Sequence, residues 1–158
     1  MDKDSDKEEK IYGSEKAAEY YERVKSFISE FEFYKDDIRF IDILISRFLD
    51  DMLKHENLDE LRESMIRLHR LKSLCNTLLK NLKQHLQNLG KISESTYKDK
   101  IDKLEESQNK LEETVKSFKN EFQNIKHEIY SFADDYLEIK KAEKQAIEEE
   151  KIRNSRDF

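Results

Sequence analysis

Four histidines, one cysteine and a surplus of carboxylates are the side chains to weigh first for acid–base, nucleophilic or metal chemistry. Their spacing removes most of it. His55, His69, His85 and His127 form no His-Glu-x-x-His pattern, in which two imidazoles four residues apart hold zinc from one helix face. The Glu-x-x-His pairs of di-iron bundles are missing as well, since Met52, Ile66, Leu82 and Asn124 stand three residues before the histidines. A lone cysteine, Cys75, excludes an internal disulfide and a Cys-based zinc cluster. It falls on an apolar stripe, where a core thiol is expected rather than a reactive one. No Gly-rich loop exists to cradle phosphates, and no Gly-flanked serine marks a nucleophile on a strand-to-helix turn. Carboxylates on solvated helix faces stay ionised, and general acid work needs one in a dry pocket. The expectation is a protein without cofactor, metal site or catalytic constellation, and so not an enzyme.

One run does carry chemistry. His69-Arg70-Leu71-Lys72 resembles the His-x-Leu-Lys run of histidine phosphotransfer domains, over a single helical turn. The resemblance implies that His69 carries a phosphoryl group, that Lys72 favours its negative charge, and that the partner is a response-regulator receiver domain. Ser73 stands where those domains usually place a small glycine beside the histidine, and no glycine follows until Gly90. The alternative for His69 is a surface histidine flanking a packing seam.

The elements that would position any of these groups are helices. A chain of 158 residues with 36% hydrophobic and 42% charged residues cannot build a thick core, and without proline and with only two glycines it has few places to turn. Apolar positions recur at steps of three and four through Ala17, Tyr20, Val24, Phe27, Phe31, Tyr34, Ile38, Ile41, Ile45, Phe48 and Met52. That is the seam of a coiled coil kept for about five heptads. A second stripe runs from Leu61 through Met65, Leu68, Leu71, Cys75, Leu78, Leu82 and Leu86 to Leu89, with two shifts from strict alternation. A third runs from Tyr97 through Leu104, Val115, Phe118, Phe122 and Ile129 to Ile139, broken only by Gln108, a polar group that either fixes register or lies in a loosely packed end.

The fold class expected is all-α: three long helices, over about 14–54, 58–89 and 95–150, in one antiparallel coiled-coil bundle domain that dimerises. Residues 1–13 read as a disordered lead-in and 151–158 as a frayed tail. Lys54 to Asn57 is the first candidate turn, with Asn57 as a cap. Gly90 is expected to close helix two in the left-handed conformation, and Ser93 or Ser95 to cap helix three. The rods are unequal, so helix three should project past the first turn.

Some surface exceeds what three seams require. Phe33, Phe40 and Ile43 lie on a different side of helix one from its stripe, and Tyr130 and Leu137 lie off the stripe of helix three. A helix that is apolar on two sides is usually buried on two sides, so these five residues form the expected partner interface. The expected partner is a second copy of the chain or another helical protein. Charge is uneven too. No Asp or Glu occurs between Ser64 and Ser93, a stretch that holds the basic strip Arg67, Arg70, Lys72, Lys80 and Lys83. Pairing with the acidic neighbouring helices is the first reading, and docking of an acidic surface the second. The net charge of −6 and the lack of stacking aromatics on that helix argue against nucleic acid. With neither a signal peptide nor a membrane span in view, the expected location is cytoplasmic.

Overall fold

The computed structural model describes residues 2–53 and 58–156, with side chains from Gly13 onward except at 48–50, 52, 53 and 58. It is all-helical, and no strand occurs among the described residues: α1 Asp2–Leu53, α2 Leu58–Gly90 and α3 Lys98–Arg156. Every pair of helices is in contact. The expected turn and cap at Lys54 to Asn57 lie outside the described residues.

Partner numbers define how the rods lie. Glu32 meets Lys83 and Asp42 meets Lys72, so positions on α2 fall as those on α1 rise. Ser64 with Glu128 and His85 with Gln108 give the same reversal between α2 and α3. Between α1 and α3 the numbers climb together. Arg23 pairs with Glu112, Glu30 with Lys119 and Asp37 with Lys126, a ladder in which each rung lies seven residues beyond the last. Ion pairs that keep contact with water, as these do, add little stability each. Their repetition at heptad spacing instead selects one register over its neighbours, because a slip of one turn removes all three.

The core is the set of stripes closing on one another. Phe31, Leu78 and Phe122 are all buried, as are Val24, Ile38 and Ile41 of α1 and Val115, Phe118, Ile125 and Ile129 of α3. Its centre is aromatic. The Phe31 and Phe118 rings lie 4.8 Å apart between centroids, and Tyr34 stands 5.4 Å from both Phe31 and Phe122. A smaller cluster closes the other end, where Leu61 packs with Tyr136 and the Tyr136 hydroxyl donates to Asp51 at 2.9 Å.

Four details depart from the sequence-based expectation. First, α1 begins at Asp2, not near Ser14. Nothing in 2–13 breaks a helix except Gly13, and Gly13 is buried against the Ile101 side chain, where its missing Cβ permits close approach. Second, Gly90 ends α2 without entering the left-handed region. The chain leaves instead by a tightened last turn, Lys91 N–H donating to Asn88 C=O and Ile92 N–H to Leu89 C=O. Third, Ser93 and Ser95 do not cap α3. They belong to a separate turn in which Ser93 N–H donates to Thr96 Oγ1 at 2.9 Å, while the Tyr97 carbonyl accepts from Lys100 and Ile101. Tyr97 therefore precedes the helix and is 81% exposed, so it is not the first member of the third seam. Fourth, α3 remains helical through Arg156, with Arg153 and Arg156 complementing the dipole in its last turn. From Lys140 to Arg156 every residue is exposed.

Candidate interaction surface

The strict path of threes and fours along α2 runs Leu61, Ser64, Leu68, Leu71, Cys75, Leu78, Leu82, His85, Leu89, and it carries two polar residues into the core. Ser64 and His85 are both buried. Met65 and Leu86, the apolar members of the stripe read from the sequence, stand one residue beyond these seam positions and are half-buried at the seam's edge. Each buried polar group has found a partner on α3. Ser64 donates to Glu128 at 3.0 Å, and Arg67 holds the same carboxylate at 3.0 Å. His85 Nε2 lies 2.8 Å from Gln108 Oε1, an interaction that takes the proton on Nε2. Gln108 is fully buried, and its amide nitrogen has no hydrogen-bond partner. Turning the amide over would only exchange the orphan, leaving the carbonyl unpaired. Gln108 is thus in the tightly packed core and not at a loose end, and this pair joins α2 to α3 inside an otherwise apolar section.

Cys75 is equally enclosed. Its thiol donates to the Phe31 carbonyl at 3.6 Å, and burial pushes its pKa up to about 11. A thiol that is neither ionised nor accessible is unreactive. Labelling with an aromatic disulfide at neutral pH is expected to be slower by orders of magnitude in the native protein than in urea; equal rates in both would place Cys75 on the surface.

The basic strip largely answers to its own neighbours. Arg67 reaches Glu128 and Glu121 of α3, Lys72 lies 3.9 Å from Asp42, and Lys83 lies 3.1 Å from Glu32 of α1. Arg70 and Lys80 are exposed and carry no ion pair among the described residues. His69 is exposed beside Arg70 and Asp42 in a shallow depression, and the cation offered for its phosphoryl group, Lys72, is the one engaged by Asp42. No group of three metal-ligating side chains occurs among the described residues. No helix among them is long and apolar enough to cross a membrane.

What remains is the outward side of α1. Phe33 is 68% exposed, Phe40 58% and Ile43 46%, and all three lie away from the buried stripe. Asp37, one helical turn before Phe40, accepts a hydrogen bond from Lys126 Nζ at 2.7 Å. That hydrogen bond also raises the Lys126 pKa. On the other side of the ion pair, Lys126 Nζ stands 5.8 Å from the Tyr130 ring centroid. Tyr130 is accordingly half-buried, while Leu137 is 59% exposed. The five residues singled out in the sequence therefore separate into the α1 face of Phe33, Phe40 and Ile43 and two α3 residues, Tyr130 beside the Asp37–Lys126 ion pair and Leu137 exposed seven residues further along. No family model matches this chain, and neither a curated protein nor a solved structure shows significant similarity to it.

Proposed function

We propose that this protein is a non-enzymatic interaction or scaffold protein of the cytoplasm: an antiparallel three-helix coiled-coil bundle that self-associates through the outward face of α1, with Leu137 and Tyr130 of α3 at its margin. The observation that carries the reading is the exposure of Phe33, Phe40 and Ile43 together on one side of a helix whose other side is already buried. Large apolar side chains grouped on a rigid element are uncommon on monomers, since each adds unfavourable contact with water. Recognition would come from apolar side chains at helical spacing, with the charges between them rejecting partners that present the wrong sign. The engagement of Arg67, Lys72 and Lys83 within the bundle favours pairing over docking of an acidic surface.

Light scattering tests the proposal. Wild type is expected to approach twice the 19.1 kDa of one chain as concentration rises through the micromolar range. Phe40→Glu is expected to remain at the single-chain mass with unchanged helicity, because Phe40 is no part of the buried core. A wild-type mass of one chain at every concentration would remove the reading.

A further inference from the structure

We infer that the occupant of this face is a second copy of the chain, its α1 laid antiparallel to the first about a twofold axis passing between Phe40 and Ile43. The inference rests on the self-association reading above and supplies its geometry. Phe33, Asp36, Phe40, Ile43 and Arg47 recur at steps of three, four, three and four, so α1 carries a second, outward seam opposite the one buried in the bundle. All five are exposed. Asp36 and Arg47 have no ion-pair or hydrogen-bond partner among the described residues, although neighbouring acids such as Glu32, Asp37 and Asp42 all meet a lysine.

In an antiparallel pair of identical helices, the axis decides which residues face each other. An axis between Phe40 and Ile43 sets Phe40 against the partner's Ile43, and the symmetry repeats that contact. One layer outward, Asp36 meets the partner's Arg47, and the repeat places a second such pair at the opposite end. An apolar centre is then closed on both sides by charges of opposite sign. The competing alignments lack this match. A parallel pair sets Asp36 beside Asp36 and Arg47 beside Arg47. Sliding the antiparallel pair by one heptad sets Phe40 against Asp36, or Ile43 against Arg47, and leaves the charges desolvated without partners. The self-complementary charge order is what identifies the occupant as this chain and not an unrelated helix.

The test uses the full chain in two charge-reversed forms, Asp36→Arg and Arg47→Glu. Each alone places like charges at both ends of the interface, and each is expected to stay monomeric in sedimentation where wild type is dimeric. Mixed in equal amounts, the two chains restore opposite charges at both ends, so native mass spectrometry is expected to detect the mixed dimer and neither homodimer. Wild type that dimerises while both variants also dimerise, or while the mixture stays monomeric, overturns this geometry and leaves self-association standing. Wild type that never dimerises overturns both. Should a reversed chain lose helicity, a nitroxide at position 33 decides instead: the antiparallel axis separates the two labels by roughly 25 Å along the helices, whereas a parallel pair brings them side by side.

Discussion

Replacing Phe118 with alanine is expected to lower the unfolding free energy by about 3–5 kcal/mol, read from urea unfolding followed by helical circular dichroism. Phe118 is buried at the middle of α3, with its ring 4.8 Å from Phe31, 5.8 Å from Tyr34 and 6.0 Å from Phe122. Removing it takes away the apolar surface and also the shared wall of three other rings. A bundle of three helices is thin, with each core layer built from few side chains, so little neighbouring material can move in to fill the cavity. Set against a typical net stability of about 5–15 kcal/mol, that loss moves the variant far toward unfolding. Phe33→Ala serves as the control at concentrations low enough to keep the chain monomeric, where Phe33 is exposed and its removal is expected to change stability by about 0.5 kcal/mol or less. A Phe118→Ala variant as stable as the control would mean that the aromatic layer is not packed.

The second large effect concerns the buried pair of His85 and Gln108. Gln108→Leu is expected to cost about 1–3 kcal/mol, because it leaves a buried imidazole nitrogen with no partner in an apolar surrounding. His85→Leu is expected to cost a similar amount by orphaning the Gln108 carbonyl in addition to the amide nitrogen that already lacks a partner. The double variant is expected to be at least as stable as wild type, since two apolar side chains then fill the layer and no polar group remains to be satisfied. The cycle thus yields a strong coupling between the sites. Uniqueness is the expected loss: with the histidine–glutamine layer removed, α2 and α3 can slip by a heptad, which would broaden the amide spectrum. Additive single costs in the double variant would show that the two residues do not act as a pair.

The helices themselves were legible because periodicity is local. Val24, Phe31, Ile38 and Ile45 announce their own burial through spacing alone, and so do Phe118, Phe122, Ile125 and Ile129 on α3. What spacing could not do was separate pattern from composition. At Ser64 and His85 the strict heptad continues through polar residues, and the apolar neighbours Met65 and Leu86 offered a tempting detour. Following the period instead of the residue type would have placed His85 in the core opposite the one polar break already noted at Gln108. The ends were harder for a different reason. A helix start depends on local alternatives of nearly equal free energy, so a serine-rich turn such as Ser93 to Thr96 can cap α3 or stand before it.

The charge ladder of Arg23, Glu30 and Asp37 with Glu112, Lys119 and Lys126 was invisible in the sequence for a third reason. Nearly half the residues are charged, and any register of α1 against α3 offers some opposite pairs. Only the fixed packing of Phe31 on Phe118 chooses among them. The outward face behaves oppositely: Phe33, Phe40 and Ile43 stand out in the sequence because they are apolar where the heptad calls for polar residues, and their exposure follows from α1 having buried its other side. Tyr130 was grouped with them, yet Lys126 lies against its ring and draws it toward the groove between α1 and α3.

The most direct test of this face is hydroxyl-radical footprinting of the wild-type chain across a concentration series. Oxidation of Phe33 and Phe40 is expected to fall as the protein is concentrated through the micromolar range, while Tyr97, 81% exposed and remote from α1's outward seam, keeps its rate as the internal reference. Constant oxidation of Phe33, Phe40 and Tyr97 at every concentration would mean that the face stays in water and is not where the protein meets itself.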